Sequence, residues 1–172
     1  LESGLAEIVN RGRLLYPEHL GAIASKVSHN SGHLQPYPSG ARLIPGDLSL
    51  DEAVLGSLAD ATILVVAGDL NVPQPLTSEG LSRKLASLQV TGKIQLPAES
   101  EADILQRLET AMGMPKMKVF PEGFEMVERQ MHWRTASLAS WSGRRIYSTE
   151  PIYIDADVTP EALDGAVDGV IS

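Results

Sequence analysis

The sequence predicts an α/β fold, a short solenoid in which parallel strands alternate with helices, and three observations predict it. One hexad recurs: GRLLYP (12 to 17), GDLNVP (68 to 73) and GKIQLP (92 to 97) each run glycine, charged residue, aliphatic residue, spacer, apolar residue, proline. Stretches with helix N-cap signals lie between the hexads. On a larger scale LAEIVNRGRLLYP (5 to 17) matches LASLQVTGKIQLP (85 to 97), YPSGARLI (37 to 44) matches FPEGFEMV (120 to 127), and LNVPQPLTSEGL (70 to 81) matches IYIDADVTPEAL (152 to 163). The offsets are 80, 83 and 82, in consistent order.

Each hexad reads as part of a strand. In SLQVTGKIQLP, Leu88, Val90, Gly92, Ile94 and Leu96 share one face and Gln89, Thr91, Lys93 and Gln95 the other, the period of two that a half-buried strand requires. EIVNRGRLLYP does nearly the same with Ile8, Gly12, Leu14 and Tyr16, and TILVVAGDLNVP with Leu64, Val66, Gly68, Leu70 and Val72. A glycine inside such a strand marks a bend, a bulge or a close backbone approach, and the proline that follows removes a ladder donor. Expected helices begin in PEHLGAIASKV and LDEAVLGSL. PLTSEGLSRKLASL has Thr77 as N-cap and Leu81, Leu85 and Leu88 at helical spacing. ESEADILQRLETAM is amphipathic through Ile104, Leu105, Leu108 and Met112. DVTPEALDGAVDGV has Thr159 as cap, Pro160 at the first helical position, and Ala162, Leu163, Ala166 and Val167 on one side.

A strand-helix unit of roughly 20 to 28 residues lies in the range of repeat architectures, where each unit leaves an apolar face for the next to cover. The chain is therefore expected to be one repeat domain, 1–172, made of two blocks of about 82 residues, 1–84 and 85–172. Phrases such as DVTPEAL (157 to 163) and VTGKIQLP (90 to 97) resemble the turns of uncharacterised bacterial repeat proteins and leucine-rich-repeat-like α/β solenoids. The strand phrases bear a weaker similarity to bactofilin-type β-solenoids. These resemblances imply stacked parallel strands and an interaction or assembly role.

Composition bounds the chemistry. The 172 residues are 43% hydrophobic, carry a net charge of -8 and contain no cysteine. Disulfides, thiolate nucleophiles and thiolate metal sites are thus excluded, and the charge disfavours nucleic acid and anionic membranes as partners. No apolar run approaches the ~18 residues of a membrane helix. A cytoplasmic location is expected, and LESGLAE is expected to mark a domain boundary. No GxSxG, HExxH, P-loop or GxGxxG motif occurs, so neither a cofactor, a metal nor catalytic residues are expected. His29 and His33 in HNSGH read as a turn in preference to a metal site. Asp155 and Asp157 border the helix after Thr159, whose positive end favours acids, or alternatively hold a divalent ion. Glu150 either replaces an inward glycine or faces water where TEP breaks the strand.

The candidate binding surface is RQMHWRTASLASWSGRRIYST, residues 129 to 149, which contains no acid. Arg129, His132, Trp133, Arg134, Trp141, Arg144, Arg145 and Tyr147 are the residue types that furnish binding hot spots. The alternative is that both tryptophans plug an irregular turn. The matching stretch of the first block, 43 to 82, carries Asp47, Asp51, Glu52, Asp60, Asp69 and Glu79 with no lysine or arginine. A non-enzymatic protein-interaction module is expected, with a protein partner or self-association through head-to-tail contact of the two charged stretches. One alternative is a carbohydrate-binding or carbohydrate-acting solenoid whose Trp133, Trp141 and Tyr147 would stack on sugar rings beside acids such as Glu150 and Asp155, and a second is a small anionic ligand held by the arginine-rich stretch.

Overall fold

The computed structural model describes residues 8–24, 27–30, 32–110 and 113–171. The fold is mixed α/β, and every strand pairing among these residues is parallel. The strands expected around the hexads are not continuous. Each is cut at the hexad's glycine into two strands that belong to different sheets, so the chain turns a corner there. The first such pairs are β1 (Ile8–Asn10) with β2 (Arg13–Pro17) and β3 (Val27–Asn30) with β4 (His33–Tyr37), joined by α1 (Gly21–Ala24). Next come β5 (Arg42–Ile44), β6 (Leu48–Ser49) and α2 (Glu52–Ser57), then β7 (Thr62–Val66), β8 (Leu70–Asn71) and α3 (Ser78–Lys84). They are followed by β9 (Leu85–Val90), β10 (Lys93–Pro97) and α4 (Ala98–Arg107). After β11 (Lys116–Phe120) the pattern resumes with β12 (Glu125–Val127), β13 (Met131–Trp133) and α5 (Thr135–Leu138). It closes with β14 (Arg144–Ser148), β15 (Ile152–Ile154), α6 (Pro160–Asp164) and β16 (Val167–Ile171).

The sheets have the orders β1-β3, β2-β4, β5-β7-β9, β6-β8-β10-β11, β12-β14-β16 and β13-β15. Strands before and after a corner therefore build two separate walls, and the helices supply a third side. The corners explain the glycines. Gly92 N–H donates to Gly68 O at 3.0 Å, and His33 N–H to Gly12 O at 2.8 Å. A Cβ on Gly92 would stand 2.1 Å from Asp69 Oδ1 and 2.6 Å from Gly68 O, and one on Gly68 2.3 Å from Asp47 Oδ1. The charged residue after the glycine bridges consecutive corners: Asp47 Oδ1 accepts from Asp69 N–H and Asp69 Oδ1 from Lys93 N–H, both at 2.8 Å.

Two large apolar cores and a smaller one fill the space between the walls. In the first, Leu64, Val66, Leu88 and Val90 face Leu70, Ile94 and Leu96, and Leu55, Leu81 and Ile104 close the helical side. Leu88, Ile94 and Leu96 are buried as the period of two predicts, whereas Gln89, expected outside, is also buried, its amide donating to Glu109 Oε2 at 2.8 Å. The second core gathers Val127, Ile146, Met131, Trp133, Leu138 and Trp141. A third, smaller core comprises Phe120, Phe124 and Met126, with Tyr147 against them.

The expected helices form, but shorter. Thr77 and Thr159 cap α3 and α6, each hydroxyl accepting an N–H at 3.2 Å, from Gly80 and Ala162, and Asp51 caps α2 through Val54 N–H at 2.8 Å. Leu85 and Leu88 are not helical: α3 stops at Lys84, because β9 must run parallel to β7. Likewise α6 ends at Asp164 and Val167 opens β16. Of the four residues expected on the apolar side of α4, Ile104 is buried in the core, Leu105 is 40% exposed, Leu108 lies past the helix in a bridge to Leu88, and Met112 falls outside the described residues.

Gly92→Ala is expected to cost about 1–3 kcal/mol, the usual range for forcing atoms into a filled space. Thermal unfolding checks it, and an unchanged midpoint would contradict the close corner.

Candidate interaction surface

The stretch 129–149 does not form one patch. It runs through β13, α5 and β14, so its side chains alternate between the second core and solvent. Trp133 and Trp141 point inward, 2% and 8% exposed, with ring centroids 6.1 Å apart. This corrects the expectation that they supply contact area on the surface; they plug the turn between β13 and β14. The indole N–H of Trp133 is buried with no partner among the described residues. The ring faces a sugar would need are thus packed inside.

The arginines divide. Arg144 is half-buried: Nε donates to Glu125 Oε2 at 2.8 Å, Nη2 binds Glu125 Oε1, and its guanidinium lies 5.0 Å from the Trp141 ring centroid. Arg134 is exposed and donates from Nε to Asp155 Oδ2 at 2.7 Å. Arg145 lies 4.4 Å over the Phe124 ring, and Arg129 is exposed beside an open cleft of about 370 Å³ between Glu125, Glu128, Trp141 and Arg144. Tyr147 stacks on Phe120 at 5.6 Å and takes Lys118 Nζ over its ring at 5.2 Å. His132 is exposed and stacks on Tyr153 at 4.9 Å and 21°.

The acids have local partners too. Besides the corner and cap bonds, Glu52 Oε1 accepts from Thr77 N–H at 2.6 Å. Asp60 takes Lys84 Nζ at 2.8 Å, and this hydrogen bond holds its carboxyl below the usual carboxylate value. The pair therefore contributes at neutral pH and is lost as acid protonates Asp60. Asp157 Oδ2 accepts from Thr135 N–H at 3.2 Å, so Asp155 and Asp157 serve the start of α5 as well as bordering α6. Glu150 is exposed in the break between β14 and β15, as TEP suggests. His29 and His33 lie in β3 and β4, on either side of a corner. Among the described residues no group of three or more metal-ligating side chains occurs, and no helix is long and apolar enough to cross a membrane.

Sequence reasoning missed the contacts that join the two cores. The Glu128 carboxylate accepts from Asn71 Nδ2 and, at 2.9 Å, from Gln95 Nε2; Gly123 N–H donates to Glu99 Oε1 at 2.9 Å. Tyr153 was missed as well, although the 82-residue offset sets it against Asn71. The chain matches no protein-family model, no curated protein and no solved structure.

Trp133→Ala should cost about 3–5 kcal/mol, as for a buried aromatic, whereas Arg129→Ala should stay within about 0.5 kcal/mol of wild type, as for an exposed side chain. Urea unfolding of the two variants checks this; equal midpoints would contradict the division between core and surface.

Proposed function

We propose that the chain is a short α/β solenoid of two blocks, 1–84 and 85–172, acting as a non-enzymatic protein-interaction or assembly module. The parallel strands support the solenoid reading, since register partners lie 19 to 24 residues apart, as with Ile8 and Val27 or Leu70 and Ile94. The duplication gains support from element order. β5, β6 and α2 correspond to β12, β13 and α5, and β7, β8 and α3 to β14, β15 and α6, with Arg42 and Glu125 83 apart and Thr62 and Arg144 82 apart. Both blocks also turn at a glycine of positive φ, Gly40 at 86° and Gly123 at 75°, between β4 and β5 and between β11 and β12.

The observation that carries the interaction role is an apolar column that stops in solvent. Trp133 pairs in register with Ile154, and Ile146 with Val170. The inner members are 2% and 0% exposed, the outer ones 51% and 43%. Among the described residues β15 and β16 are each paired on one side, so backbone donors and acceptors of a sheet edge accompany the exposed side chains. Such an end favours a covering polypeptide, by strand addition and apolar burial together. The charge split of the sequence is a weaker support, because Arg134 and Arg144 already have acidic partners.

Sedimentation velocity over a concentration series tests the reading. Wild type should form species larger than a monomer, and Ile154→Lys with Val170→Lys should reduce them. Association unchanged by both lysines would sink the open-end reading.

A further inference from the structure

A second cleft, of about 380 Å³, shares only Glu125 and Arg144 with the cleft beside Arg129. Gln74 and Pro75 reach it from the loop before α3, and Gly123, Phe124, Gly143 and Arg145 from the turns that open β12 and β14. Its volume is in the range of small-molecule sites, roughly 300–1,000 Å³. The two clefts differ in charge. Beside Arg129 the acids Glu125 and Glu128 balance Arg129 and Arg144. In the second cleft Glu125 is the only acid among the described lining residues and Arg144 already binds it, so Arg145 is left unmatched. Glu99 and Glu122 stand nearby, but Glu99 takes Gly123 N–H at 2.9 Å, and Glu122 offers Arg145 Nη1 only its backbone oxygen, at 3.4 Å.

The Arg145 guanidinium is ordered all the same, because it lies 4.4 Å from the Phe124 ring centroid. Glycines clear the space around it. A Cβ on Gly123 would stand 3.1 Å from Nη1 and one on Gly169 3.8 Å from Nε, while one on Gly143 would meet nothing within 4 Å. A planar fork fixed in advance and left uncrowded loses little entropy on taking a ligand with two oxygens. The turns alone do not call for this arginine. On the two-block reading above, Gly123 corresponds to Gly40 and Gly143 to Ala61, which also have positive φ, at 86° and 55°. The residues that correspond to Phe124 and Arg145 are Ala41 and Ile63. The same pair of turns thus forms without a ring or a cation, and Phe124 with Arg145 is an addition of the second block.

We infer that this cleft binds a small organic anion through a carboxylate or phosphate group, held by Nε and Nη2 of Arg145, which make no hydrogen bond among the described residues. Gln74, exposed on the loop before α3, supplies a neutral amide to the rest of the molecule. No residue of β15 or β16 lines the cleft, so this binding is independent of the open end; only the comparison with Ala41 and Ile63 rests on the two-block reading.

Titration followed by ¹⁵N–¹H NMR tests it, reading the amides of Gly123 and Gly143 and the side-chain Nε–H of Arg145. Sodium malonate or inorganic phosphate is added to wild type, Arg145→Gln, Arg145→Lys and Arg129→Gln, with sodium chloride at the same ionic strength as reference. Circular dichroism melting checks that each variant is folded. Wild type should give saturable shifts, malonate assigning the ligand to organic carboxylates and phosphate to phosphorylated compounds. Arg129→Gln should bind as wild type does and Arg145→Gln about tenfold more weakly. Arg145→Lys should also bind more weakly, since an ammonium lacks the fork. Wild-type shifts that stay linear, or that chloride reproduces, overturn the inference without recourse to any variant. Binding undiminished in both Arg145 variants overturns it too, as does an equal loss in Arg129→Gln and Arg145→Gln, which is the mark of general charge and not of a site.

Discussion

Parallel strands in separate walls can share one chain only if the backbone turns sharply between them, and from β5 to β10 that turn is a glycine corner bridged to the next by an aspartate. At Gly68 and Gly92 any side chain would collide with the corner before it, so the strands approach to backbone hydrogen-bonding distance only because no Cβ intervenes. Asp47 and Asp69 then take the next corner's N–H, which no strand ladder reaches. These bonds fix which residue lies over which. Once Gly92 sits over Gly68, Leu88 must lie over Leu64 and Ile94 over Leu70, and an apolar column follows on each wall. The helices have only to close the remaining side, which explains why six or seven residues and a side-chain cap suffice for α2 and α3.

Charge in this chain is spent locally. A stretch rich in acids and another rich in arginine suggest long-range attraction, yet the acids end helices and bridge corners, while Arg134 and Arg144 reach carboxylates one strand away. Exposed pairs of this kind contribute little individually; their effect is to orient the loops around each corner. Arg144 does more, because its guanidinium also covers the Trp141 ring at the edge of the second core.

Much of the local architecture was legible. Period two identified the inward residues of β9 and β10, and the threonine caps located the starts of α3 and α6, because both signals arise within a few residues of sequence. The corners were legible only as anomalies: an alternation continuing through Gly92 is indistinguishable, on paper, from an unbroken strand. Helix ends were overextended for a similar reason, since Leu85 and Leu88 suit a helix face and a strand wall equally well and pairing with β7 decides between them. The burial of Trp133 and the clamp of Glu128 on Asn71 and Gln95 depend on which walls meet, which no local pattern encodes. A stretch without acids drew attention to residues 129–149, but the more exposed aromatic pair includes Tyr153, just beyond it.

The clamp at Glu128 also bears on how the chain finds its structure. Neighbouring strands in a wall meet across 19 to 24 residues, whereas Asn71 and Glu128 are separated by 57 and Arg13 and Thr91 by 78. Loop closure over 57 residues costs about 0.8 kcal/mol more than over 24, and the two larger cores offer no apolar column to each other until their own walls exist. Zipping of neighbouring strands into walls therefore precedes docking of the second core on the first. A nascent chain that has emerged only as far as β10 holds the Asn71 and Gln95 amides unclamped, a transiently sticky wall for as long as residue 128 has yet to arrive.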